Sequence, residues 1–321
     1  MSKLAEQLDK HRHDLLVSVR NGNSYFGEVP SDIGSIVYCD STNTLASPQD
    51  SDTIKNKRIK TTLISLGILA LIWVLLHNAV VWAIILSLVV AVLAILIIVN
   101  ASSFSGKDYF VGTEGFATIK FDKTRDNITE RKVYYFKDFA EFVTGETYKK
   151  YNYTYQGTDY FGSFMGKPND EHEVEMLVEY TGTYHQEKPK DDLLDQDYLF
   201  LKEVEKSWSN YKIVEIRDEL NKRGSYTFNL ISPKENSSKF WSYPYIKFTN
   251  DAIEIGGRVY NDETLKSMYF SNGNLIVEHM NHSKKLFGLI EKGQKEEIPL
   301  TNVGNKKIFL MFLDMLTSPM Q

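Results

Sequence analysis

The chain has 321 residues, with 37 Lys+Arg against 42 Asp+Glu, a formal net charge of −5 and a single Cys. That charge offers no broad attraction to phosphate and disfavours a nucleic-acid binder, and one Cys excludes a disulfide scaffold. Residues 61–106 contain no Asp, Glu, Lys or Arg, so the ordinary average composition hides an apolar segment joined to a charged body, and a fully soluble protein is disfavoured as well.

In chain order, residues 1–60 read as an amphipathic helix followed by a tether. Leu4, Leu8, Leu15, Leu16 and Val19 share one helical face. Gly, Pro, Ser, Asp and Asn then dominate up to Lys60, with room for a short strand at 34–39. His11 and His13 are two apart and fall on different sides of a helix, which does not suit a shared metal. The first twenty residues are too charged for a signal peptide, so the first apolar helix is the expected insertion signal.

The run 61–100 as one helix would extend roughly 60 Å, twice the hydrocarbon thickness of a bilayer. It must fold back. His77-Asn78 is its strongly polar break and divides it into 61–76 and 79–99, each close to the length of a span. Trp73 and Trp82 flank that break, where a tight turn brings both rings to one headgroup level as interface anchors. Lys57, Arg58 and Lys60, with Lys55 before them, complete the anchoring set on the opposite side. These residues, together with Lys107 and Lys120 after the run, place both termini in the cytoplasm by the positive-inside bias. The expected location is therefore integral and multi-pass. On that side the Asn-x-Ser/Thr triplets at Asn127, Asn152, Asn236 and Asn281 are chance matches and Cys39 forms no disulfide.

From residue 104 onwards Tyr, Phe, Thr and Val alternate with turn residues, which predicts strands. A first unit at 104–224 is expected to hold strands at 108–111, 116–121, 129–136, 139–144, 148–155, 160–165 and 174–184. A helix over 194–223 closes it, because Leu194, Tyr198, Leu201, Val204, Trp208 and Tyr211 recur at helical spacing and Gly224 stops it. A shorter unit at 225–321 repeats the plan, with strands at 226–231, 245–248, 253–255, 264–270, 275–280, 285–290 and 297–300 and a helix at 305–316. The segment 110–116 can be laid over 247–253, and Phe136-Lys137-Asp138 over Tyr260-Asn261-Asp262.

Together these features give an α+β membrane protein: a two-helix hairpin and two curled sheets, each with a C-terminal helix. That arrangement resembles the bacterial pleckstrin-homology-like membrane proteins. Phe248-Thr249-Asn250-Asp251-Ala252-Ile253 is similar to that group's strand-turn-strand opening. The hairpin at 272–277 and the segment 298–316 are similar to its centre and its end. The resemblance implies tandem PH-like units and a bacterial inner membrane as the location, and it transfers no functional residue. Phe136 and Tyr260 stand where the group often has Trp.

No Gly-rich phosphate loop, HExxH, CxxC or GxSxG is present, so no catalytic site, metal or cofactor is expected. Asp170-Glu171-His172-Glu173 and Asp191-Asp192 read as solvated loops rather than cation sites, and His279 and His282 as ordinary imidazoles. Lys120, Lys123, Arg125, Arg131 and Lys132 form a strand–loop–strand patch that is the candidate lipid-headgroup contact, diluted by Asp122, Asp126 and Glu130. Tyr148, Tyr151, Tyr153 and Tyr155 are expected on one strand, the last three sharing a face in core or cross-strand packing. The expected function is non-enzymatic binding of a protein or a lipid headgroup at the inner leaflet, with the bilayer itself as one partner. An oligomeric scaffold is the first alternative and a metal-dependent enzyme the second.

Overall fold

Ten residues, eight of them polar, directly precede the uncharged run, and they turn out to be part of its first helix. The computed structural model describes residues 20–21, 29–42, 51–100, 105–122, 126–185, 195–234, 239–242, 245–285 and 290–317. Helix α1 is Ser51–Leu75 and helix α2 is Val80–Asn100, and the two pack against each other across a turn at 76–79. Both are long and apolar enough to cross a membrane. Ala79 N–H bonds to Leu76 O at 2.8 Å, and His77 Nδ1 lies 3.4 Å from Val74 O, so His77 serves the turn. The tether expected up to Lys60 is corrected over its last ten residues, because Lys55, Lys57, Arg58 and Lys60 are good helix formers and belong to α1. The amphipathic helix expected near the N-terminus lies outside the described residues, apart from Arg20–Asn21.

Strands β1 (Arg20–Asn21), β2 (Ile36–Ser41), β3 (Ser105–Gly112), β4 (Gly115–Asp122) and β5 (Ile128–Tyr135) form one five-stranded sheet in that order. β1 pairs parallel to β2 and the rest are antiparallel. The pairing of β2 with β3, from Ile36 opposite Gly112 to Ser41 opposite Asp108, has a large consequence. The helical hairpin is not placed ahead of the β region but is inserted between two neighbouring strands of it. The boundary expected at residue 104 therefore cuts through this sheet. β2 was legible as a strand, but its partner lies some seventy residues away and local pattern does not reveal it.

A second sheet joins β6 (Glu141–Tyr151), β7 (Thr154–Met165) and β9 (Met176–Tyr184), and β8 (Glu173–Val174) lies between the last two in sequence. The single strand expected at 148–155 is instead the tip of a hairpin, in which 148–151 end β6 and 154–155 begin β7. Asn152 and Tyr153 both adopt left-handed φ, 46° and 64°, and reverse the chain between β6 and β7. Helix α3, Gln196–Arg223, follows, capped by the Asp195 side chain and stopped by Gly224 at φ 67°.

After α3 come β10 (Ser225–Asn229), β11 (Ser232–Pro233), β12 (Phe240–Trp241), β13 (Tyr245–Thr249), β14 (Ile253–Ile255) and β15 (Arg258–Tyr260). These are followed by β16 (Leu265–Ser271), β17 (Asn274–His279), β18 (Ser283–Lys285), β19 (Ile290–Lys292), β20 (Lys295–Pro299) and helix α4, Lys306–Thr317. β10-β13-β14-β15 form a four-stranded sheet and β16-β17-β20 a three-stranded one. β18 and β19 pair with each other, where a single strand at 285–290 was expected. In both halves four antiparallel strands, β2 to β5 within the five-stranded sheet and β10-β13-β14-β15 in the other, form a meander that a three-stranded sheet and a helix follow. The segments 110–116 and 247–253 occupy the same place in each, the turn from second to third strand of the meander.

Helix α3 belongs to both halves. Tyr198, Phe200, Leu201, Val204 and Trp208 are buried in the first core with Phe116, Phe136, Phe142 and Phe164. Ile213, Ile216 and Leu220, further along the same helix, are buried in the second with Phe228, Phe248, Phe309 and Phe312. Close approach is built in at Gly162 on β7, where a Cβ would meet Leu201 at 2.5 Å. A further tie is the small β11-β12-β8 sheet, in which Phe240 and Trp241 of the second half pair with Val174 and Glu173 of the first.

Candidate functional site

The hairpin enters the β region at one end of the first sheet, and that end concentrates polar contacts. Asp126, in the β4–β5 turn, accepts from Ser51 N–H at 3.1 Å and from Ser51 Oγ at 2.6 Å, so a loop of the sheet caps the first turn of α1. Ile54, one turn on, is buried, whereas Lys57, Arg58 and Lys60 are exposed. On the α2 side, Thr42 N–H bonds to Lys107 O at 3.0 Å and Lys107 N–H to Thr42 Oγ1 at 2.9 Å, extending the β2–β3 ladder by one step.

The N-terminus of α3 docks on the same end. Lys107 Nζ lies 2.6 Å from Asp197 Oδ1, Tyr109 Oη donates to the same oxygen at 2.9 Å, and Gln196 Nε2 donates to Ser41 O at 2.8 Å. Burial, then the charge of Asp197, raises the Tyr109 hydroxyl far above the ordinary phenol range, so it stays a donor.

The expected basic patch is only partly assembled. Lys120 and Lys132 both pair with Glu130, at 2.5 and 2.6 Å, and these two hydrogen bonds hold its carboxyl at about 2. One carboxylate thus offsets two of the five cations. Arg131 is exposed on β5, and its charge helps lower the Asp32 carboxyl, whose larger cause is the hydrogen bond from Tyr135 Oη. Lys123 and Arg125 lie outside the described residues. Trp73 and Trp82 are exposed on α1 and α2 on either side of the hairpin turn.

Two features were missed by sequence reasoning. The first is a buried junction between the halves of the β region. Glu141 Oε1 accepts from Asn229 Nδ2 at 2.8 Å and Oε2 from Asn305 Nδ2 at 2.5 Å. Asn305 Oδ1 accepts from Trp208 Nε1 at 2.8 Å and from Phe142 N–H at 3.2 Å. Burial raises the Glu141 carboxyl to about 7, against the pull of Lys212. A Cβ on Gly304 would meet Glu141 Oε2 at 2.5 Å, so a side chain there would displace the buried carboxyl. Beside this junction a cleft of about 440 Å³ is lined by Phe139, Glu141, Lys167, Lys212, Glu215 and Tyr226. The partners are separated by up to 164 residues in sequence, and no spacing signal exists to find them.

The second is the tip of the β6–β7 ribbon. Tyr151 and Tyr153 are 70% and 99% exposed. Tyr148 and Tyr155, expected on opposite faces of one strand, face each other from two strands with ring centroids 4.7 Å apart. A turn signal did exist in Asn152, which tolerates left-handed φ.

Among the described residues no cluster of three or more His, Cys, Asp or Glu could hold a metal ion. Glu173, read from sequence as part of a solvated loop, is buried and paired with Lys234 and Lys239, with its carboxyl held at about 2 by those hydrogen bonds. It joins β8 to the β11–β12 turn region and is structural. Asp191-Asp192 lies outside the described residues, and His282 is buried with Nδ1 3.5 Å from Glu278. No family model matches the chain, and no curated protein and no solved structure matches it.

Proposed function

We propose that this chain is an integral, multi-pass protein of a bacterial inner membrane whose two PH-like units face the cytoplasm and bind a protein or a lipid headgroup at the inner leaflet, without catalysis. The observation that carries the reading is the insertion of the apolar hairpin between β2 and β3, clamped at its start by Asp126. An anchor placed there holds the β region against the membrane surface in one orientation, which suits a recognition module and serves no purpose for a freely diffusing enzyme. The Lys55, Lys57, Arg58 and Lys60 stub of α1 supports the cytoplasmic side. In each half four antiparallel strands, β2 to β5 of the five-stranded sheet and β10-β13-β14-β15, are followed by a three-stranded sheet and a closing helix, which supports the PH-like description.

Two measurements test this. An affinity tag inserted at 77–78 should be accessible only from the outer face of spheroplasts, with a C-terminal tag accessible only in inverted vesicles. The full-length chain extracted in mild detergent should co-purify with a defined protein or with enriched anionic lipid. Recovery in the alkaline-carbonate supernatant, or a 77–78 tag reached from the cytoplasmic face, would refute the membrane topology.

A further inference from the structure

The β6–β7 ribbon tip is a motif that neither core packing nor the hairpin explains. Its place follows from the contacts along β6. Glu141, at the start of β6, lies at the junction with Asn305, whose Oδ1 also takes the Trp208 indole N–H. Glu146 lies at the first turns of α3, taking Tyr198 Oη at 2.9 Å and Lys202 Nζ at 2.7 Å. The first turn of α3 is itself fixed to Ser41 and Lys107, where the sheet runs into the hairpin. β6 therefore advances toward the hairpin end. It then continues past Glu146 to Tyr151, about 16 Å of strand at 3.3 Å per residue. The charged stub of α1 from Ser51 to the start of the uncharged run spans a matching distance, about 15 Å at 1.5 Å per residue.

The chemistry of the tip suits a particular surface. Asn152 and Tyr153 make a two-residue left-handed turn in which the second place usually belongs to Gly. A Tyr there is strained, and it gains no contact inside the protein, since it is 99% exposed. Behind the turn the ribbon is braced by the Tyr148–Tyr155 pair and by Tyr155 Oη on Tyr184 O at 3.2 Å. Lys149 pairs with Asp159. Lys150, two residues before the turn and exposed, has its ammonium 5.2 Å over the Tyr148 ring. Exposed Tyr with an adjacent Lys is the composition of a bilayer interface, where the ring sits among headgroups and the ammonium meets anionic lipid.

We propose that the tip of the β6–β7 ribbon is a second membrane contact: Tyr151 and Tyr153 rest in the headgroup layer of the bilayer that holds the hairpin, with Lys150 against its anionic lipid. This rests on the membrane reading above. It makes the attachment two-point, hairpin and ribbon, and fixes the tilt of the β region above the surface.

The test uses the full-length chain with Cys39→Ala and one further cysteine, Tyr153→Cys, Thr61→Cys or Asp251→Cys, each carrying an environment-sensitive fluorophore. Each is reconstituted into phosphatidylethanolamine–phosphatidylglycerol vesicles with and without headgroup-nitroxide lipid. Asp251 lies beyond the C-terminal end of α3, in the turn after β13, whose last residue pairs with Ser225. Quenching at 153 should exceed that at 251 severalfold and approach that at 61, and Tyr151→Ser should reduce it. Quenching at 153 no greater than at 251, with 61 quenched, overturns the ribbon contact and leaves the hairpin standing. That is also the result if the tip instead meets a protein, which these vesicles lack. No quenching at 61 overturns the membrane reading itself, and the ribbon contact with it. Labels on the chain that retains its buried Cys39 provide a second background should Cys39→Ala fold poorly.

Discussion

Glu141 makes the stability of the two-unit junction depend on pH, and Glu141→Gln should remove that dependence. Its carboxyl is buried and accepts from two side-chain amides. Burial raises it to about 7 from an ordinary 4.5. A raised carboxyl means that the folded state holds the proton more tightly than the unfolded chain. The stabilisation is therefore complete below about 4.5 and is lost as pH rises through about 7. Across those ~2.5 pH units, at about 1.36 kcal/mol each, the folded state loses about 3 kcal/mol, equivalent to a fall in Tm of roughly 5–10 °C for a body of this size. Gln cannot titrate, and its amide can be housed. Asn305 is locked in orientation by Trp208 and Phe142, so the Gln oxygen takes its Nδ2 while Asn229 turns its oxygen to the Gln amide. Thermal unfolding of the full-length chain in detergent at pH 5 and pH 9 gives the comparison. The variant should match or fall slightly below the wild type at pH 5 and exceed it by about 3 kcal/mol at pH 9. A difference between the two proteins that is the same at both pH values would show that Glu141 does not titrate in this range and would refute the reasoning.

Asn305→Ala leaves the Trp208 indole N–H and Phe142 N–H without their acceptor and puts Ala at φ 54°, so destabilisation of at least about 3 kcal/mol is expected by the same unfolding assay. Trp208→Ala, in the middle of α3, should cost about 3–5 kcal/mol, because its fully buried ring packs on Phe136 and Phe164. Asp126→Ala removes the acceptor at the start of α1; a loss of about 1 kcal/mol, local to the helix end, should appear as faster hydrogen exchange at residues 51–55 without a change in exchange for α3. Gly162→Ala drives a Cβ into Leu201 and should lower stability by about 1–3 kcal/mol, a penalty that Leu201→Ala in the same chain should partly relieve.

Elements that carry their own periodic signal were legible. The hairpin turn at His77-Asn78, α3 with its Gly224 stop, and most strands of the second unit fall within a few residues of expectation because local apolar spacing, polar breaks and helix-stop chemistry decide them. What the pattern could not supply was pairing. β2 reads as a short strand in a polar stretch, and only the ladder with β3 shows that it belongs to the sheet. The same limit hid the Glu141 junction, whose members come from β6, β10, α3 and the residue just before α4. At 148–155 the error had a different cause. Tyr and Thr favour strands, and a two-residue turn without Gly left the alternation apparently unbroken.

Insertion of the hairpin between paired strands determines how the β region can move. A domain tethered by one flexible linker can rotate freely above a surface. A domain whose β2 ends at Ser41 on the way into α1, and whose β3 starts at Ser105 on the way out of α2, is held through two adjacent strands. The same two strands hold the first turn of α3, through Lys107–Asp197 and Gln196–Ser41. α3 is one continuous helix of 28 residues, about 42 Å long, with its first half in one core and its second half in the other. It can bend only by breaking its own hydrogen bonds or by opening the Glu141–Asn305 junction beside it. The two β units are thereby tied together by one continuous helix and by the buried Glu141–Asn305 junction, and loss of the Glu141 proton is the step that weakens the second of these ties.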